Sequence, residues 1–167
     1  MVWVRSEYAG ELAVLSVWAN ALIPWSLSFA SVQSGNFVVV RFQFFLVQFL
    51  LGVTLEGAQE APFLTVPGAL AFETGTVRDA YLVWAVGAAV FAAAFLLSIA
   101  YYALDEDIEA ASPVDPVWVL GALLVVTGLV EAVAFYGLWD AYIGTTVPVG
   151  VLFCLGLGGL LLAVERA

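Results

Sequence analysis

The stretch that decides the predicted fold class is Ala80–Leu104, with the sequence AYLVWAVGAAVFAAAFLLSIAYYAL. It contains 25 residues without a charge, and Asp79 and Asp105 stand at its two ends. As a helix this length is more than enough to cross a hydrocarbon core of about 30 Å. Tyrosine and tryptophan near both ends are typical of the two membrane–water interfaces. The stretch therefore predicts a membrane-spanning helix.

Three other apolar stretches predict membrane helices on the same grounds, at residues 12–33, 117–139 and 146–164. The first has 22 uncharged residues, which reach about 33 Å as a helix, and Pro24 in its middle should kink it. The second contains a single charge, Glu131. In the last, Pro148 fits the first helical turn, where a missing N–H costs little. Together with 80–104, these stretches predict four spans.

The segment between the first two spans is the hardest to assign. Phe37–Leu51 is apolar but contains Arg41 and Gln43, and as a helix it would reach only about 22 Å, short of a full crossing. Its partial alternation also permits a strand, so periodicity does not decide between helix and strand. We expect a re-entrant or interfacial helix at about 37–52, and the alternative is a fifth span that extends to Leu55.

The predicted fold class is therefore all-α: a polytopic membrane helical bundle of four transmembrane helices plus a re-entrant or interfacial helix. We expect one integral membrane domain over residues 1–167. The composition supports this prediction, because 64% of the residues are hydrophobic and 11% are charged, with a mean hydropathy of +1.07. Ordinary soluble domains carry about 25% charged residues. Such a chain cannot cover its own surface in water.

The residue inventory excludes most catalytic chemistry. The chain has no histidine, no lysine and one cysteine, Cys154. Without histidine there is no Ser-His or Cys-His pair and no imidazole metal ligand, and one cysteine makes neither an intrachain disulfide nor a cysteine metal site. We therefore expect a protein that is not an enzyme, with no cofactor and no metal.

The net charge of −10, from 14 acidic residues against four arginines, limits the partners. It argues against nucleic acid, whose phosphates need a basic surface. A strongly acidic surface without lysine is typical of a protein in concentrated salt, where self-repulsion is screened. We expect the lipid bilayer as the main partner, together with a partner membrane protein or a second copy of the chain.

Three short stretches carry a family resemblance: Trp3–Leu12 (WVRSEYAGEL), Val40–Phe42 and Pro113–Pro116. On these stretches the chain resembles a family of small haloarchaeal membrane proteins of unknown function, for which four transmembrane helices are predicted. The resemblance implies a high-salt archaeal cell membrane and favours four spans over five. It implies no activity and no catalytic residue.

Glu131 is the main candidate site residue. A carboxylate in a spanning helix costs about 2.5–3.5 kcal/mol and must face protein or water. Its helix face carries Gly128 and Gly121, which let a neighbouring helix approach closely, and Thr127 lies one turn before it. Arg41 is the natural ion-pair partner, and the alternative is that this arginine snorkels to lipid phosphates.

Asn20, a polar side chain at membrane depth near the Pro24 kink, completes a candidate buried polar or ion site of Glu131, Arg41, Asn20 and Thr127. On the last predicted span Gly150, Cys154 and Gly158 recur every four residues and predict a helix-packing seam. The seam faces either a helix of the same chain or another protomer.

The predicted function is that of a non-enzymatic integral membrane protein, a structural or accessory component of the cell membrane or of a membrane complex. The alternative is a small proton or ion pathway, or a transporter-like protein, centred on Glu131. A water-lined cavity that reaches Glu131 would distinguish the two. We expect a multi-pass protein of the cell membrane with both termini on the cytoplasmic side.

Overall fold

Helices account for most of the chain in the computed structural model, which describes residues 8–32, 35–52, 63–104, 108, 112–142 and 144–164. In chain order the helices are α1 (Ala9–Leu22), α2 (Val66–Phe72), α3 (Gly75–Ala103), α4 (Pro116–Ala141) and α5 (Val149–Leu162). The predicted helices at 80–104 and 117–139 are present as α3 and α4. Asp115 caps the start of α4, since its carboxylate accepts a hydrogen bond from the backbone N–H of Val117 at 2.9 Å,.

The described residues also form a five-stranded antiparallel sheet. Its strands are β1 (Ser26–Val32), β2 (Gly35–Arg41), β3 (Phe45–Leu51), β4 (Phe63–Thr65) and β5 (Thr145–Val147). Their order across the sheet is β4-β3-β2-β1-β5. The first four strands are neighbours in sequence and in space, whereas β5 follows α4 and pairs with β1, with Ser28 opposite Thr146.

The predicted all-α bundle of four transmembrane helices with a re-entrant or interfacial helix is wrong, because the structure contains this sheet. The segment 37–52 forms most of β2 and β3, which pair with Val40 opposite Val47. A helix would satisfy its own backbone groups, whereas these residues bond to neighbouring strands on both sides. Three consecutive valines at 38–40 favour the strand, since β-branched side chains pack well on a pleated surface.

The first and last predicted spans are each divided between a helix and a strand. Helix α1 ends at Leu22 because Pro24 disfavours a helical residue before it, and Ile23 is extended with ψ 127°,. The chain then continues as β1. At the other end β5 comes before α5. Helices α1 and α5 have 14 residues each and reach about 21 Å, short of a crossing.

Two helices in the described residues are long and apolar enough to cross a membrane by length and composition: α3 with 29 residues and α4 with 26. They pack against each other more extensively than any other two elements in the described residues. At one end, which we call the helix end, α1 and α5 pack against them around Phe91, Leu120 and Leu124. At the other, the sheet end, β1–β3 and α2 pack against them around Trp25, Trp84 and other buried side chains.

The contact of β5 with β1 depends on a glycine. Gly144 has φ +120°, a conformation that L side chains rarely adopt, and a Cβ there would overlap the carbonyl oxygen of Phe29,. The chain can therefore leave α4 and lie directly against β1. This contact closes the sheet end around the polar residues described next.

Candidate functional site

Arg41, the last residue of β2, is fully buried at the sheet end. Its Nε donates to the Tyr81 hydroxyl at 3.0 Å, and its Nη1 donates to the hydroxyls of Ser28 at 2.6 Å and Ser26 at 3.5 Å. Its Cζ lies 5.4 Å from the ring centroid of Tyr81 and 4.9 Å from that of Tyr142. Arg41 is thus held by hydroxyl groups and aromatic rings, and the predicted partner Glu131 is not among its hydrogen-bond partners.

Glu73, at the end of α2, is the carboxylate on which the charge of Arg41 acts. Burial raises the pKa of Glu73 above its ordinary value, and the positive charge of Arg41 offsets part of this increase. The increase from burial is larger than the decrease from Arg41, so the attraction of the arginine is weaker than the cost of removing Glu73 from water.

Glu131 is fully buried on the face of α4 that packs against α3. Gly87 of α3 makes room for it, since a Cβ on that glycine would lie 3.4 Å from the Glu131 Cγ. The Gln43 amide, in the turn between β2 and β3, lies close enough to the carboxyl to affect it. Neither carboxyl oxygen of Glu131 nor either amide atom of Gln43 reaches hydrogen-bond geometry with a described residue. These two buried side chains form a second polar group beside that of Arg41.

Asn20 and Thr127 are both buried, and each donates to a backbone carbonyl of its own helix. Asn20 donates from Nδ2 to the carbonyl oxygen of Ser16 at 2.8 Å and accepts from the Cys154 Sγ at 3.2 Å. Thr127 donates to the carbonyl oxygen of Leu123, one turn back in its own helix, at 2.9 Å. The four candidate residues are therefore all interior, but the structure distributes their hydrogen bonds over different partners.

Two residues of the predicted packing seam lie at close backbone approaches within this chain. A Cβ on Gly150 would lie 2.6 Å from the Trp25 Cα, and one on Gly158 would lie 2.8 Å from the Gly121 carbonyl oxygen. Cys154 stands between them and bonds to Asn20 of α1. The seam therefore faces α1, α4 and the residues just before β1.

The sequence reasoning missed Gln43, Ser26, Ser28, Tyr81 and Tyr142 as members of the polar interior. A signal for the serines was available: in β1 the small residues Ser26, Ser28 and Ala30 alternate with larger ones, and these three are buried. That period of two is the pattern of a strand with one face inward. Gln43 and the tyrosines carried no comparable local signal, because strand pairing and helix packing bring them to Arg41 and Glu131.

A groove of about 430 Å³ lies between α3 and α4 at the sheet end. Its apolar floor includes Ala80, Val83 and Val133, and Asp79 and Asp140 stand among its polar lining residues. Glu131 is not a lining residue. The groove therefore does not reach the buried carboxyl.

The comparison with known families matches the chain over residues 2–166. The chain belongs to a family of unknown function, DUF7549. The match covers nearly the whole sequence, so the expectation of an uncharacterised family is confirmed. Comparison with curated proteins gives no match. The family assignment brings no activity, ligand or catalytic residue with it, and function has to be inferred from the arrangement of the side chains.

Proposed function

We propose that the protein is a non-enzymatic integral membrane protein in which α3 and α4 cross the bilayer. The observation that carries this proposal is the exposure of apolar side chains along both helices. Only 33% of the most apolar window of α3 and 44% of that of α4 are buried. Exposed residues include Leu96, Ile99, Leu129 and Val133. Lipid would cover this surface, which is too apolar for water.

The sheet indicates where the bilayer ends. An open sheet has edge strands with unpaired backbone groups, and such edges do not occur in lipid. Helix α3 would reach about 43 Å and α4 about 39 Å, so each exceeds the hydrocarbon core by several residues. We place these extra residues, Gly75 to about Tyr81 of α3 and the end of α4 from about Tyr136, with most of the sheet at one membrane surface. The turn between β2 and β3 reaches further along α3, where the Phe44 ring lies 5.7 Å from that of Phe91.

Both described ends of the chain lie at the helix end. A Cβ on Gly10 would lie 2.9 Å from the Tyr101 hydroxyl near the end of α3, and one on Gly121, near the start of α4, would lie 2.9 Å from the Leu161 Cβ. Both termini would then share one side of the membrane with the connection between α3 and α4. We propose the cytoplasmic side for them and the outer surface for the sheet.

Cysteine labelling of intact cells tests this arrangement. The starting variant is Cys154→Ser, which keeps a donor toward Asn20, and single cysteines replace Glu11, Ser112, Ser31 and Thr74. An impermeant reagent should label the cysteines at 31 and 74 from outside and reach those at 11 and 112 only after permeabilisation. Labelling of 11 and 74 from the same side would refute the proposal.

We further propose a structural or accessory role in the cell membrane of a salt-loving archaeon. The net charge of −10 with no lysine supports the high-salt setting,. The absence of histidine and the presence of one buried cysteine support a role without catalysis. Native purification at high salt, followed by identification of every copurifying protein, tests the role. A partner recovered in fixed stoichiometry would support it, whereas enzymatic turnover by the pure protein would overturn it.

A second candidate function is a proton or ion pathway through Glu131. The observation that favours it is a fully buried carboxyl without an ion-pair partner in the described residues, beside the unpartnered Gln43 amide. Reconstituted vesicles with a pH-sensitive dye test this alternative. A proton flux that Glu131→Gln removes and Glu11→Gln keeps would favour a pathway, and equal flux in protein-free vesicles would favour the structural role.

A further inference from the structure

The sheet has an outer face that points away from the helices. Val39 and Leu46 are buried beneath the sheet among helix side chains, and the strand residues that alternate with them point the other way. On this outer face Phe29, Phe49 and Phe63 are 47%, 48% and 54% exposed. Exposed apolar patches of this kind mark a surface that another molecule covers.

The strand register arranges the outer face in three rows across the sheet. The row nearest the turn between β2 and β3 is entirely apolar and consists of Val147, Leu27, Val40, Val47 and Phe63. The next row consists of Thr145, Phe29, Val38 and Phe49, and the row farthest from the turn of Ser31, Asn36 and Leu51. None of the three rows contains a charged residue, although the chain has a net charge of −10. The outer face therefore changes from apolar to partly polar with distance from the turn.

Two ring contacts show how far this sheet extends along α3. Phe44, in the turn, packs on Phe91 with ring centroids 5.7 Å apart, and Trp25, just before β1, lies 6.0 Å from Trp84. Trp84 and Phe91 follow Tyr81 by three and ten residues, or about 4.5 Å and about 15 Å along the helix. With the membrane surface near Tyr81, the apolar row lies on the bilayer side of the sheet and the polar row on the water side.

The two short helices leave room for lipid beside the sheet. Helices α1 and α5 reach about 21 Å from the helix end, so about 9 Å of a hydrocarbon core of about 30 Å remains beside the strands that adjoin them. Each edge strand has a helix next to it, because β5 contacts α4 and β4 leads into α2, which packs on α3. The sheet therefore presents its outer face, more than its edges, to the surrounding lipid.

We propose that the outer face is a lipid-binding surface, with its apolar row against the acyl chains of the outer leaflet and Ser31 and Asn36 in water. This inference rests on the proposed function, since it needs α3 and α4 to cross the bilayer. A second copy of the chain fits the face less well. A protein partner would require no change of polarity along the strands, whereas a bilayer changes from apolar to polar over the same direction.

Spin labels at three single cysteines test what surrounds the outer face. In the Cys154→Ser background the variants are Val47→Cys in the apolar row, Asn36→Cys in the polar row and Leu96→Cys at an exposed position of α3. Each labelled full chain is reconstituted in vesicles of phosphatidylcholine and phosphatidylglycerol in molar sodium chloride. Electron paramagnetic resonance then compares collisions with oxygen, which concentrates in lipid, and with a neutral nickel chelate, which stays in water.

The ratio of oxygen to nickel collisions should be several times higher at positions 47 and 96 than at position 36. A high ratio at 96 with a low ratio at 47 would overturn the inference and leave the crossing of α3 standing. A low ratio at 96 would refute the crossing itself. Loss of both kinds of collision at 47 would also overturn the inference, because protein would then cover the face, and a spectrum that narrows on dilution with unlabelled chain would identify that protein as a second copy.

Discussion

Two adjacent glycines of α5 give a sharp test of the packing seam. Gly158 faces α4, where an added Cβ would lie 2.8 Å from the Gly121 carbonyl oxygen and 2.9 Å from the Val125 backbone nitrogen. Gly159 is exposed, and an added Cβ would have no neighbour within 4 Å. The substitutions Gly158→Ala and Gly159→Ala therefore make the same chemical change at two neighbouring sites. The sites differ in the room available for the new methyl group.

The two substitutions should change the unfolding free energy in opposite directions. Alanine in place of glycine inside a helix stabilises by about 0.5–1 kcal/mol, because less backbone entropy is lost on folding. Gly159→Ala should show this gain. At Gly158 the new methyl meets two backbone atoms that cannot rotate away, so α4 and α5 must separate, at an overpacking cost near the upper end of about 1–3 kcal/mol. The net loss for Gly158→Ala should be about 2 kcal/mol, and the two variants should differ by about 3 kcal/mol.

Reversible unfolding in mixed micelles, followed by the tryptophan fluorescence of the full chain, measures both values. The unfolding free energy of Gly158→Ala should fall below that of the unmodified protein, and that of Gly159→Ala should rise above it. Equal stability of the two alanine variants would show that α5 does not pack on α4 through Gly158. The close approach of the two helices, and the arrangement of the helix end derived from it, would then be refuted.

Three further predictions concern charged groups. Glu131→Gln should change the unfolding free energy by less than about 1 kcal/mol, because the amide has the same shape and no ion pair is broken. The effects of Glu131→Gln and Arg41→Gln in a double-mutant cycle should be additive within about 0.5 kcal/mol. A coupling energy of several kcal/mol would reveal an ion pair instead. The pKa of Glu73 is raised above its ordinary value of 4.5, so the folded state binds the proton more tightly and this contribution to stability is lost as pH rises through the raised pKa. Glu73→Gln should therefore raise the unfolding midpoint relative to the unmodified protein more at pH 8 than at pH 4. Glu11→Gln, the same change on the exposed face of α1, is the matched control and should show a smaller difference between the two pH values. With a net charge of −10, the midpoint in sodium gluconate should fall when salt is diluted from molar concentration to about 0.1 M, where the Debye length is about 10 Å; an unchanged midpoint would refute the high-salt interpretation.

The sequence by itself determined the two long helices and the interior position of Glu131. Apolar runs longer than 20 residues with at most one charge exceed any ordinary strand, so α3 and α4 could be placed to within a few residues. Pro24 predicted a kink within a longer helix, whereas α1 ends before it at Leu22, because proline acts on the residue before it. The residue inventory also excluded histidine chemistry without any structure. These conclusions depend on local properties of the chain, which its covalent sequence contains in full.

Tertiary structure alone decided the sheet and the partners of Arg41. An apolar segment of 15 residues at 37–51 suits a short helix or two strands about equally, and the choice depends on which backbone groups are available to pair with it. Those groups come from β1, which exists as a strand because its other edge is covered by β5, more than a hundred residues away. The same long-range pairing brings Ser26, Ser28 and Tyr142 to Arg41, where sequence reasoning had placed Glu131. A strand is stabilised by its neighbours, so its identity is a property of the whole fold, whereas a long apolar helix satisfies its own backbone and can be recognised from its sequence.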